Sequence, residues 1–140
     1  MSQYYELGGV TLWNPATGTS ELFLRQQALF EEVIGLPSGI GPMVSDEAQL
    51  SPEEFEAFVG ALLAWRGRTG STVTAALSEG FIATVLVLAE RAGVAAQWPA
   101  PLVGLEGMRD VQVTVPTADT GGWELQLREQ ARQLAGFMAR

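Results

Sequence analysis

Glu79 is the residue of this 140-residue chain with the best setting for acid–base chemistry. On a helix its neighbours three and four positions away are Ala75, Ala76, Ile82 and Ala83, because side chains at those spacings share a face. Three alanines around one carboxylate leave a shallow hollow. If that hollow faces the interior, burial raises the glutamate pKa and makes Glu79 a candidate general acid or base. If the alanines mark the thin, solvent-facing side of the helix, Glu79 is only its polar residue, and carboxylates are seldom buried without a partner. Asp46 and Glu47 follow a Gly/Pro-rich stretch running from residue 35 to 45. Two carboxylates beside free carbonyls could hold a hard cation or an amine, although the spacing matches no dedicated calcium loop. The plainer reading is an acidic turn ahead of a helix, where negative charge is favourable. Trp13 and Trp98 stand at element ends or in loops. Such rings pack at the core boundary, or line an aromatic pocket or a protein interface. The candidate binding residues are therefore Trp13, Asp46, Glu47 and Trp98, with no metal site and no cofactor expected.

The missing residue types remove whole classes of chemistry. The chain has no His, no Cys and no Lys, so it has no imidazole base, no thiolate, none of the usual zinc or haem ligands and no Schiff-base amine. Its serines therefore lack the usual base. Gly39-Ile40-Gly41 lacks the third glycine and the preceding strand of a dinucleotide loop, and without lysine it is no phosphate loop; turn geometry explains it. Sixteen acidic residues against eight arginines give a net charge of −8, which repels phosphate backbones. No nucleic-acid partner is expected. The first twelve residues lack a basic region and carry Glu6, unlike a secretory signal. The one stretch that approaches a membrane span, Thr69 to Ala89, contains Ser71, Thr72, Thr74, Ser78 and Glu79, and a carboxylate at mid-membrane is costly. A soluble, cytoplasmic protein without membrane contact is the expectation. The use of arginine alone, with abundant Ala and Gly, points to a GC-rich genome.

One domain spanning residues 1–140 must position these groups. Tyr4-Tyr5-Glu6-Leu7 and Val10-Thr11-Leu12-Trp13, joined by Gly8-Gly9, read as a β-hairpin. Ser20 is the expected cap of a helix to Ile34, with Leu22, Phe23, Leu29, Phe30, Val33 and Ile34 on its apolar face and Gly35 as its stop. Ser51-Pro52-Glu53-Glu54 carries a capping box and opens a helix ending near Trp65. Val73 to Ala92 is apolar on every side over Phe81–Ala89 and must be surrounded; it is the expected central helix. Val111–Val115 alternates as a strand, and Trp123, Leu127, Ala131, Leu134 and Met138 line a terminal helix. The fold class is α+β: about four helices around the central one, with a small, mainly antiparallel sheet of the hairpin plus one later strand.

Three segments carry a likeness. Leu12-Trp13-Asn14-Pro15, Leu36-Pro37-Ser38-Gly39-Ile40-Gly41-Pro42 with Asp46-Glu47, and Glu79-Gly80-Phe81 running into Leu86–Arg91 resemble an uncharacterised family of small actinobacterial proteins, mostly from Streptomyces-type genomes. The resemblance implies a bacterial, cytosolic origin and brings no activity with it.

Three readings of function follow. The acidic surface, the missing catalytic types and the tryptophans suit a non-catalytic binding or accessory protein acting on a protein or small-molecule partner. The alternative is a cofactor-free cyclase or isomerase of specialised metabolism, holding a small apolar metabolite in a deep cavity that contains Glu79. A homo-oligomer is compatible with either, because apolar surface on the central helix left uncovered by its own chain must be buried by another copy.

Overall fold

Gly8 and Gly9 take φ of 58° and 82°, the left-handed pair that a two-residue hairpin turn requires. They join β1 (Tyr4–Leu7) to β2 (Val10–Trp13) in an antiparallel ladder with a bulge between Tyr5 and Glu6. The computed structural model describes residues 1–100 and 122–140. The third strand differs from the expected one. β3 (Glu47–Gln49) pairs in parallel with β1, giving a mixed sheet of order β2-β1-β3. It is introduced by a tight turn in which Ser45 and Asp46 hold φ of 51° and 64°, with paired bonds between Val44 and Glu47. No glycine advertises that turn. The strand expected at Val111–Val115 lies outside the described residues.

Four helices complete the α+β fold among those residues: α1 (Thr17–Ile34), α2 (Pro52–Arg68), α3 (Thr72–Ala92) and α4 (Gly122–Ala135). Gly35 and Gly93 end α1 and α3 as expected. α3 is central: from Phe81 to Ala89 every residue except Thr84 is buried. It has the length and apolar composition of a membrane span, yet 56% of that stretch is buried inside the protein.

Of the two capping expectations, that for Ser20 fails and that for Ser51 is met in position but not in its side-chain bond. α1 begins at Thr17, and Ser20 sits buried inside it, its Oγ 2.8 Å from the Tyr5 hydroxyl. A buried phenol needs a hydrogen-bond partner, and that long-range demand outweighs the local preference for a cap. Ser51 precedes α2, but its side chain makes no capping bond; its N–H instead donates to Gly39 O at 2.6 Å. The apolar face of α1 is also narrower than its spacing suggested. Phe23 and Phe30 are buried beside Ser20 and Gln27, whereas Leu22, Leu29 and Val33 are exposed.

The loop between α1 and β3 is tied down on both sides. Gln27 Nε2 donates to Ser38 Oγ at 2.9 Å and Ile40 O at 3.3 Å, Ser38 N–H donates to Glu31 Oε2 at 2.8 Å, and Gly41 N–H donates to Gln49 O at 2.7 Å. Gly39 lies against the first turn of α2, and a Cβ there would stand 2.5 Å from Phe55 N. The Gly39-Ile40-Gly41 run is therefore a packing device.

Arg91 joins the hairpin to the C-terminus. Its Nη1 donates to Leu12 O at 2.8 Å and its Nη2 to Ala135 O at 3.1 Å. Arg91→Met keeps the stem but leaves two carbonyls without their charged donor. An expected loss of about 1–2 kcal/mol follows, measured as a lower urea midpoint. An unchanged midpoint would show that water replaces the guanidinium at no cost.

Candidate functional site

The surface between α1 and α3 holds two adjoining hollows. The larger, about 360 Å³, is lined by the end of β2 (Trp13, Asn14, Pro15), the first turns of α1 (Ala16, Thr19, Leu22, Phe23, Gln26), Thr84 of α3 and the C-terminal Leu134, Phe137, Met138 and Ala139. The smaller, about 210 Å³, is lined by Gln26, Leu29, Phe30 and Val33 of α1, Trp65 of α2, and Thr74, Leu77 and Ser78 of α3. Gln26 belongs to both.

A file of rings underlies them. Trp13 meets Phe23 edge-on at 5.3 Å, Phe23 stacks on Phe81 at 5.4 Å, Phe81 on Phe30 at 4.6 Å, and Phe30 meets Trp65 edge-on at 5.6 Å. Offset and T-shaped contacts of this kind fix ring positions. Tyr5 stacks on Trp13 at 5.2 Å, and burial pushes its hydroxyl pKa up, partly offset by the bond to Ser20. The far wall is set by the backbone: Asn14 N–H donates to Ala139 O at 2.8 Å, and Arg91 holds Ala135.

Neither hollow has a charged residue in its lining, although 17% of the chain is charged. The polar groups there are the amides of Asn14 and Gln26 and the hydroxyls of Thr19, Thr74, Ser78 and Thr84. Such a lining can accept a neutral hydrogen-bonding group in a half-open, mainly apolar hollow. It offers no acid or base in the physiological range.

The residues singled out by sequence are not gathered at one place. Trp13 lines the larger hollow, although it is itself buried in the core. Glu79 is half-buried on α3 and lines neither hollow; its charge acts on Arg66, whose guanidinium is pushed down by burial and back up by Glu79. Arg66 lies 5.0 Å over the Trp123 ring, Trp123 is 5.6 Å from Trp98, and Arg128 lies 4.5 Å over Trp98 while its Nη2 contacts Glu124 Oε1 at 2.9 Å. Trp98 is thus engaged in a cation–π stack. Asp46 and Glu47 are exposed. Asp46 accepts the Tyr4 N–H at its carbonyl and the Gln3 amide at Oδ1, at 2.8 and 3.2 Å, which gives it a part in the sheet edge. Among the described residues no group of three or more acidic side chains is gathered as a metal site would need.

Leu22, Gln26, Leu29, Val33, Leu77 and Phe137 border the hollows and were missed as site residues. For Leu22, Leu29 and Val33 the signal in the sequence is the aliphatic stripe of α1, wider than one covered face requires; Gln26, Leu77 and Phe137 carry no such signal. No curated protein and no solved structure matches the chain. Over its full length, residues 1–140, it matches a family of unknown function (DUF6086), and it belongs to that family.

Proposed function

We propose that the protein is a non-catalytic binding protein whose larger α1–α3 hollow takes a small, neutral, mainly apolar molecule or an apolar side chain of a protein partner. The observation that carries this reading is the hollow's lining: aromatic and aliphatic, with amides and hydroxyls and no charge. Its volume falls in the range of small-molecule sites. The enzyme alternative, a cofactor-free cyclase or isomerase, needs a carboxylate beside the bound molecule. Glu79 borders neither hollow, which favours binding over turnover. The arginine-only cation set and the likeness to actinobacterial proteins support placing it in an actinobacterial cytosol.

The neutral apolar dye N-phenyl-1-naphthylamine tests the hollow directly. We expect saturable, one-to-one fluorescence enhancement. Leu22→Glu introduces a carboxylate at the rim, where the leucine is 61% exposed and its replacement spares the core. It should weaken dye binding roughly tenfold or more, since the apolar dye would have to strip water from the carboxylate at the rim it covers. Leu125→Glu makes the same charge change on exposed α4, away from the hollow, and should leave affinity intact. Glu79→Gln should leave it intact as well. Absence of saturation, or equal losses in the Leu22 and Leu125 variants, would remove the site.

A further inference from the structure

We infer that the larger hollow takes a neutral molecule carrying a hydroxyl or N–H group, and that the side-chain oxygen of Asn14 accepts the hydrogen bond from it. This rests on the ligand reading above and names the polar end of that ligand and the residue that selects it. Three observations support it.

The first is an acceptor without a partner. Four buried side-chain polar atoms make no hydrogen bond among the described residues: Gln3 Oε1, Asn14 Oδ1, Gln27 Oε1 and Arg66 Nε. Of these residues only Asn14 stands in the lining of either hollow. A buried acceptor left unpaired costs stability, and native proteins hold few of them. A donor brought in by the ligand supplies what the fold does not.

The second is that no local role accounts for the side chain. An asparagine ahead of a helix ordinarily bonds a nearby backbone amide in a turn or caps the helix. Here the N-cap of α1 is Ala16, and no side chain caps the helix. Asn14 is held through its backbone instead. Its N–H donates to Ala139 O at 2.8 Å, the ring of Pro15 fixes the next φ, and Trp13 before it packs against the rings of Tyr5 and Phe23. The terminal torsion of an asparagine is broad, so the oxygen can turn into the hollow from this fixed base. The turn breaks no bond at that atom.

The third is what surrounds it. Thr84 already donates its hydroxyl proton to Gly80 O at 2.8 Å, and the wall facing Asn14 includes Leu22, Phe23, Leu134, Phe137 and Met138. No charged residue lines the hollow, so an ionised group would enter without a counter-charge. One neutral donor on an otherwise apolar body fits this arrangement: an alcohol, a phenol or a ring N–H.

Competition against N-phenyl-1-naphthylamine tests the assignment. The competitors are 1-naphthol and 1-methylnaphthalene, which share a shape and differ in the hydroxyl donor. With the wild type, 1-naphthol should displace the dye at the lower concentration. Asn14→Leu keeps the approximate size of the side chain and removes the oxygen. Once the dye affinity of each protein is measured, this variant should bind 1-naphthol roughly fivefold to tenfold more weakly and 1-methylnaphthalene within about twofold of the wild type. Asn14→Ala repeats the comparison with a smaller side chain. Wild-type protein that binds 1-methylnaphthalene as well as 1-naphthol, or variants that lose affinity for both equally, would overturn the inference. Failure of both variants to fold would mark the amide as structural and overturn it as well. A dye that never saturates would remove this inference and the ligand reading together, whereas saturable dye binding without preference for 1-naphthol would remove this one alone.

Discussion

Gly39→Ala is expected to lower the unfolding free energy by about 3–4 kcal/mol, a large share of the roughly 5–15 kcal/mol that holds a domain of this size together. Two costs combine. Gly39 holds φ of +77°, a left-handed conformation that costs an L-residue about 1–2 kcal/mol. Its added methyl would stand 2.5 Å from Phe55 N and 2.8 Å from Ser51 O, both backbone atoms in the first turn of α2. To relieve that clash the loop must move off the helix and give up the Ser51 N–H bond to Gly39 O. Gly8→Ala is the comparison. Gly8 also has positive φ, at 58°, but a Cβ there meets nothing within 4 Å, so the change should cost only about 1–2 kcal/mol. Urea unfolding of both variants separates conformation from contact, and equal losses would mean that the close approach of loop and helix contributes nothing.

Phe81→Ala should cost about 3–5 kcal/mol, the range for truncating a buried aromatic ring. Phe81 is 1% exposed and lies between Phe23 and Phe30, so the substitution opens the middle of the ring file. Phe81→Leu keeps most of the buried area and should lose only about 1–2 kcal/mol, reflecting shape and lost stacking. Phe137→Ala, at a ring 88% exposed, should stay within about 0.5 kcal/mol. Urea midpoints of the three variants would decide the matter. A Phe81→Ala midpoint close to the wild type would show that the rings are in contact without being a shared support for the two hollows.

Local signals located what they could reach. Gly8-Gly9 marked the hairpin, Gly35 and Gly93 the ends of α1 and α3, and the unbroken apolar run from Phe81 the central helix, because each reports on its own few residues. Long-range partners decided the rest. Ser20 has the type of a cap but is claimed by Tyr5 from another element, whereas Ser51 does stand at the N-cap of α2, with its N–H given to Gly39 O and so not free for the Glu54 side of a capping box. β3 is three residues long and its turn uses Ser45 and Asp46 in place of glycine, so neither periodicity nor turn chemistry announced it. Of the candidate residues, Trp13 stands at a hollow, while Trp98, Asp46, Glu47 and Glu79 stand apart from both. The remaining walls come from α1, α3 and the C-terminal residues, which only folding brings together. Leu22, Leu29 and Val33 were visible as an apolar stripe. Which side of that stripe the core would cover was a property of the packed molecule.

The polar contacts inside the protein have a bearing on its tolerance of acidity. Tyr5 with Ser20 and Gln27 with Ser38 are pairs of uncharged groups, and the chain contains no histidine to change charge between pH 5 and 8. Tyr5 titrates in the folded state above its ordinary value, because burial disfavours the phenolate. Its contribution is therefore complete below about pH 10 and is lost only as pH rises through the raised folded value. The buried pairs that support both hollows, Tyr5 with Ser20 and Gln27 with Ser38, thus keep one charge state through the acidity changes that switch histidine-bearing proteins.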